Sequence, residues 1–312
     1  MGGLLRVFDE GDWERAVYYI KSSRCTPFIG AGASTGYLPL ARDLAGSLAR
    51  EHDYPFDDVG DLARVSQFAA VKQGDRLVVK MKLADDMFAN VSLPDFRAPD
   101  EPYGLLADLG LPLYVTTNYD DFIYAALEDR GRKPLRAICP WYTTNKTEIE
   151  EATKQFQKAD GYAPGKGRPI VYHLHGHHGT PESMVLTEDD YIDFLVRVSR
   201  DPGLLPPVIQ GSLGKQMLLF IGYSLADSTF RVIFRGLLSE RPRSSGARHV
   251  SVQLPPSSGD DKADAEKAAT EAERLLRAQE YLDKYFEEQR VAVCWQEARE
   301  FTKELRRRWE PR

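Results

Sequence analysis

Cysteine is scarce in this chain. Cys25, Cys139 and Cys294 are the only three in 312 residues, and no two form a CxxC pair. So sparse a set supports neither a disulfide framework nor a cysteine-based metal site, and it fits a reducing compartment. A basic surplus is also missing. Forty-one Lys and Arg face 47 Asp and Glu, for a net charge of -6, which argues against direct nucleic-acid binding. No apolar run approaches the ~18 residues of a membrane helix. Acids lie within the first dozen residues, unlike a secretory signal. The Met-Gly start has Arg6 where a myristoylation signal wants Ser or Thr. Internal repeats and low-complexity tracts are absent. These absences predict a soluble, cytoplasmic protein without membrane or nucleic-acid contacts.

Hydrophobic residues make up 42% of the chain and aromatics 11%, enough to bury a sizeable core. Short, β-branched apolar runs recur at 27–30, 113–117, 169–175, 217–223, 249–254 and 291–295. Most are continuous rather than alternating, the mark of strands covered on both faces. Helical patterns at 13–21, 40–52, 61–73, 76–90, 120–130, 146–158, 227–240 and up to about 289 separate them. On the last of these, Leu275, Ala278, Leu282 and Tyr285 share one face, read as core-facing. The pattern predicts an α/β fold: a doubly wound, mostly parallel, Rossmann-like sheet of about six strands. One domain over 1–312 is expected, with helical insertions near 55–100 and 140–168 acting as caps.

Four strand ends carry chemistry. After the first strand, Phe28-Ile-Gly-Ala-Gly-Ala-Ser34 runs into a glycine turn and a helix. Gly30 and Gly32 can let the backbone approach a pyrophosphate, or can simply make a tight turn. After the second, Thr117, Asn118, Asp120 and Asp121 cluster. Each of the first three is a good helix cap, yet the cluster lies where open α/β sheets bind ligands. The third, Val171-Tyr-His-Leu-His-Gly-His-His-Gly179, holds four of the six histidines. His173 and His175 are two apart and share a strand face. Their spacing with His178 also resembles a metallohydrolase pattern, which usually has Asp where His177 stands, so no metal is assigned. The fourth, Leu219-Phe-Ile-Gly-Tyr-Ser224, again joins a strand to glycine and a hydroxyl.

Read in order, Gly30-Ala31-Gly32, Asn118-Tyr119-Asp120, His175-Gly176 and Gly222-Tyr223-Ser224 resemble the sirtuin superfamily. The variants FIGAGAS, TTNYD, LHG and FIGYS look most like the bacterial sirtuin-like NAD hydrolases of antiphage defence. Thr117 stands where deacetylases carry Gln, and the four zinc cysteines after the His-Gly are missing. The resemblance therefore implies NAD cleavage rather than deacetylation, with NAD as substrate and no metal. It implies that Gly30, Ala31, Gly32 and Ser34 cradle the pyrophosphate, with Thr117 beside the cofactor, and that Gly222 and Ser224 touch the adenosine half. Asn118 would hold the ribose and the attacking water, Asp120 the nicotinamide carboxamide, and His175 would act as base, its affinity for protons near neutral pH. Such an enzyme would be a toxic effector held in check by self-assembly as a homo-oligomer, or by a partner protein such as an ATPase or an Argonaute-like sensor. The alternatives are a non-catalytic NAD or ADP-ribose sensor, and an NAD-dependent deacylase or ADP-ribosyltransferase.

Overall fold

A computed structural model describes residues 8–154, 156, 164–223, 248–254 and 265–309. Seven parallel strands form one sheet. They are β1 (Cys25–Ile29), β2 (Leu113–Thr116), β3 (Leu135–Ile138), β4 (Ile170–His173), β5 (Met217–Ile221), β6 (His249–Gln253) and β7 (Val291–Trp295). Their spatial order is β3-β4-β2-β1-β5-β6-β7. From β1 the chain builds one side of the sheet, with β4 inserted between β2 and the edge strand β3, and from β5 it builds the other, which defines a doubly wound sheet with its switch point between β1 and β5. Six of these strands match apolar runs in the sequence. The seventh, β3, corrects the expected count: it is an edge strand of four residues, and its Arg136 interrupts any apolar run.

The continuous runs are explained by burial on both faces. Along β5, Met217, Leu219 and Ile221 enter one core, while Leu218 and Phe220 enter the other. The first core is covered by α1 (Glu10–Lys21), α5 (Pro102–Asp108), α6 (Phe122–Asp129) and α11 (Ala298–Trp309), with Trp13 stacked on Phe301 at 5.0 Å. The second takes residues of α8 (Glu188–Arg200), α9 (Pro207–Lys215) and the end of α10 (Ala265–Glu288), where Leu282, Tyr285 and Phe286 pack. Pro27 sits inside the central strand, a position proline normally avoids. Backbone bonds from Gly30 N to Ile221 O and from Thr117 N to Ile29 O put odd positions of β1 on the β2 side. The missing N–H of Pro27 therefore faces β2, whose ladder with β1 begins only at Phe28.

A third cluster lies apart from the sheet. Leu44, Leu48, Val65, Val79, Leu83 and Met87 join α2 (Ala41–Glu51), α3 (Leu62–Gln73) and α4 (Arg76–Phe88), with Met184 and Leu186 from the segment after β4. Asp61 and Asp75 cap α3 and α4, which makes the pair legible as two helices. Buried charges tie it to α8. Lys80 Nζ donates to Asp190 at 2.9 Å, and Asp190 also accepts the Leu186 and Thr187 amides in a capping box. A helix over 146–154, α7, follows β3. The helix expected at 227–240 lies outside the described residues. No described helix is long and apolar enough to cross a membrane.

Candidate active site

Sheet register brings the four sequence motifs to one edge. Ile29 pairs with Thr116 and with Ile221, and Thr116 pairs with His173. The glycine turn, Asn118, His175 and Gly222 all follow within two residues of that row, beside the switch point. Ser224 lies outside the described residues.

Glycine is required here by the protein's own packing. A Cβ on Gly30 would lie 2.5 Å from Gly222 O, one on Gly32 2.9 Å from Gly222 Cα, and one on Gly222 2.0 Å from Ala33 N. Gly222 also has φ +68, a left-handed conformation. Gly32 N donates to Gly222 O at 2.8 Å, so the turns after β1 and β5 interlock. Ala31 and Gly32 remain exposed on the rim. Gly222→Ala is expected to cost about 2–4 kcal/mol, combining backbone strain with the clash. Gly36→Ala shares the left-handed backbone, at φ +87, but meets open space. Urea unfolding of both variants checks this; a Gly222→Ala loss no greater than that of Gly36→Ala would remove the interlock from the account.

Beneath the rim, Asn118 is held by three acceptors. Its Nδ2 donates to Gly30 O (3.2 Å), Ser34 Oγ (3.1 Å) and Tyr103 OH (3.2 Å). A carbonyl can only accept, so Gly30 fixes which end of the amide is nitrogen. Ser34 Oγ donates to Asp120 Oδ2 at 3.0 Å and lies 2.6 Å from Tyr103 OH. Because Tyr103 already accepts from Asn118 and Ser34 already donates to Asp120, the Tyr103 hydroxyl proton points to Ser34. The chain runs one way: Asn118 NH2 to Tyr103 OH to Ser34 OH to the Asp120 carboxylate. Asp120 Oδ1 accepts from Phe122 N at 3.0 Å, so both its oxygens are engaged inside the protein. Burial pushes the Asp120 carboxyl up to about 6, against the hydrogen bonds that favour its charge. Ser34 is thus turned inward, and Thr117 is half-buried with its N–H on Ile29 O.

The histidines divide. His173 is fully buried, and its Nδ1 lies 3.2 Å from Asn118 O. His175 is not hydrogen-bonded to Asn118 or Asp120; its ring packs edge-on against Phe194 at 5.0 Å and Tyr191 at 5.8 Å, and its buried Nε2 has no partner. Burial alone pushes His175 down to about 3, well below the near-neutral value expected of it, so the ring is neutral at physiological pH.

Asp121, His177 and His178 place one ligand-capable atom each within 4.8 Å of one another. Gly179 N donates to His177 Nδ1 at 3.0 Å, and His177 Nε2 lies 3.1 Å from Asp121 Oδ1. Arg136 reaches the same carboxylate at 2.6 Å. Burial disfavours the Asp121 charge, but His177, His178 and Arg136 together hold its carboxyl well below the usual range. The end of α4 reaches this cluster: Phe88 stacks on His178 at 4.2 Å, beside a groove of about 420 Å³ lined by Met81, Asp85, Phe88 and His178.

A doubly wound parallel sheet with glycine turns, an amide and imidazoles gathered at its switch point defines a Rossmann-like domain. The chain belongs to the SIR2-like family, whose domain profile matches residues 112–289, more than half of it. It is similar to the NAD(+) hydrolase ThsA of Acinetobacter baumannii, 26% identical over 217 residues, covering 69% of this chain and 39% of that protein. The NAD(+) hydrolase ThsA of Bacillus cereus is 27% identical over 219 residues, covering 69% and 40%. The matches thus span about two fifths of these relatives' length. A solved structure described as "Structural Basis for the Mechanism and Regulation of Sir2 Enzymes" aligns over 96% of this chain and 98% of its own, at 12% identity and TM-score 0.37, too loose a likeness to bear on the site.

Tyr103 was not legible as a site residue. It lies in a seven-residue helix far from any motif, and only the fold brings it beneath the glycine turn.

Proposed function

We propose that this chain hydrolyses NAD at the nicotinamide–ribose bond, giving nicotinamide and ADP-ribose. One observation carries the reading: the Asn118 NH2 is fully occupied by Gly30, Ser34 and Tyr103, which leaves Oδ1 as the atom offered at the strand-end crevice. An acceptor held there suits a ribose hydroxyl or the attacking water. The family and the names of the similar proteins support the same chemistry.

In the proposed reaction the C1′–N bond breaks with its electron pair going to nicotinamide, which leaves neutral. Water oxygen bonds C1′ and gives up a proton. Asn118 Oδ1 orients that water, and orientation is the larger part of what the site supplies. His175 is the proposed proton acceptor: a neutral imidazole adds no positive charge beside a ribose that is becoming cationic. The rim residues Gly30, Ala31 and Gly32 are proposed to meet the pyrophosphate, Thr117 the ribose, and Gly222 and Ser224 the adenosine half. Asp120 acts from below by fixing the hydroxyl chain. Consumption of NAD by such an enzyme suits a toxic effector of antiphage defence, restrained until self-assembly or a partner protein releases it.

A nicotinamide-release assay on the purified chain at several concentrations tests this, beside His175→Ala. Release that the variant loses supports the assignment; a concentration threshold supports control by assembly. NAD recovered unchanged from a chain that binds it tightly would show a sensor instead.

The pH profile gives a second test. Asp120 is ionised only above about 6, so turnover should fall about tenfold per pH unit below that value. His173 and His175, both held near 3, do not titrate in this window. Stability moves the other way. The folded value lies above the ordinary value of ~4, so the native state binds more protons between about 4 and 6, and the stabilising contribution fades as pH rises through 6. Turnover that stays level down to pH 5 would reject the role of the Asp120 carboxylate.

A further inference from the structure

We propose that Tyr103 is a positioning residue of this site: its hydroxyl accepts a hydrogen bond from the Asn118 amide and passes the hydrogen-bond direction on through Ser34 to Asp120. The inference rests on the hydrolase reading for its effect on turnover, but its structural content stands apart from that reading.

Tyr103 is built to be immobile. Its side chain is fully buried and its ring meets Phe122 edge-on at 5.5 Å. It rides on α5, whose first turn is tied by Glu101, buried and accepting Gly104 N at 2.5 Å, with Pro102 at the first helical position. Gly104 packs so closely that an added Cβ would lie 1.9 Å from Phe96 O. A rigid short helix thus delivers one hydroxyl to the floor of the site. Burial raises the phenol well above its ordinary value, so it keeps its proton and stays a donor. The hydroxyl is placed to accept from Asn118 and donate to Ser34 at once, at 3.2 and 2.6 Å. A phenylalanine there keeps the ring and α5 but supplies neither function. Asn118 would retain Gly30 and Ser34 and gain freedom to tilt its Oδ1.

The test compares Tyr103→Phe with the unaltered chain in three measurements. In nicotinamide release, kcat should fall on the order of 10- to 100-fold, as displacements near 1 Å do, while KM stays within about threefold. The thermal midpoint should drop by only a few degrees, as one hydroxyl implies. In ¹⁵N spectra of the unliganded protein, the Asn118 side-chain NH2 pair, assigned by its loss in Asn118→Ala, should shift and exchange faster with water. Unchanged kcat together with an unchanged NH2 pair overturns the proposal. If the unaltered chain neither binds NAD nor releases nicotinamide at any concentration, the hydrolase reading fails; in that case, and wherever a missing partner keeps turnover silent, the NH2 pair alone decides the positioning role. Should Tyr103→Phe not fold, 3-fluorotyrosine at 103 reports the same hydrogen bond: its ¹⁹F signal must move when Asn118→Ala removes the donor, and an unmoved signal overturns the proposal.

Discussion

Asn118→Ala should reduce nicotinamide release on the order of 10³-fold while NAD still binds. The reason is that the side chain does two things and binds little. Its NH2 ties together Gly30, Ser34 and Tyr103, and its Oδ1 is the atom proposed to orient the water. Truncation removes the polar atom proposed to orient the attacking water, and loss of one preorganised polar group of this kind typically costs 10²–10³ in kcat. It also leaves the Gly30 carbonyl and the Tyr103 oxygen without the proton each accepted. Asn118→Asp is the more telling variant. It keeps the shape but sets a carboxylate oxygen against Gly30 O, so it should lose activity nearly as completely. Release assays with a parallel NAD titration measure both, and a turnover within tenfold of the unaltered chain in either variant would falsify the role given to Asn118.

The largest expected loss of stability is at Asp190, far from that crevice. Asp190 and Lys80 are 1% and 5% exposed at their side chains, and Arg76 lies 3.1 Å from the same carboxylate. Burial pushes the Lys80 amine below its ordinary value, against the pull of Asp190. Asp190→Ala strands that ammonium and uncaps α8 at Leu186 N and Thr187 N. Breaking one side of a buried pair costs about 3–5 kcal/mol. Replacing both partners with apolar residues, as in Lys80→Met with Asp190→Leu, should recover much of that loss. Asp189, half-exposed and paired with the same Arg76, should matter by less than about 1 kcal/mol when changed to Ala. Urea midpoints for the four chains measure the contrast; a cost at Asp190 no larger than at Asp189 would reject the buried-pair account.

Much of this was legible in the sequence, for definite reasons. Strands buried on both faces leave continuous apolar runs, so six of the seven could be read directly. The parallel sheet then guaranteed that motifs at strand ends would share an edge, as the row Ile29, Thr116, His173 and Ile221 shows. What stayed hidden depends on the third dimension. β3 is an edge strand with Arg136 in it, so it lacked the run. Tyr103 joins the site only because α5 passes beneath the glycine turn. Ser34 reads as a phosphate hydroxyl, yet the turn directs it inward. His175 reads as a base poised near neutral pH, yet it is packed edge-on against Phe194 and Tyr191 and burial holds it well below that value. Sequence spacing ranks candidates for a site, but the direction of each side chain is set by packing.

The one-way run of protons from Asn118 to Asp120 means that this site can hold two states sharing a single set of heavy-atom positions. Protonating Asp120 would let it donate to Ser34, and Ser34 to Tyr103, with the tyrosine proton rotating out of the run at the cost of its acceptor. No carbon, nitrogen or oxygen need move. A diffraction experiment at ordinary resolution would see one structure on both sides of the change, whereas neutrons, or the side-chain amide itself, would see the compass needle turn.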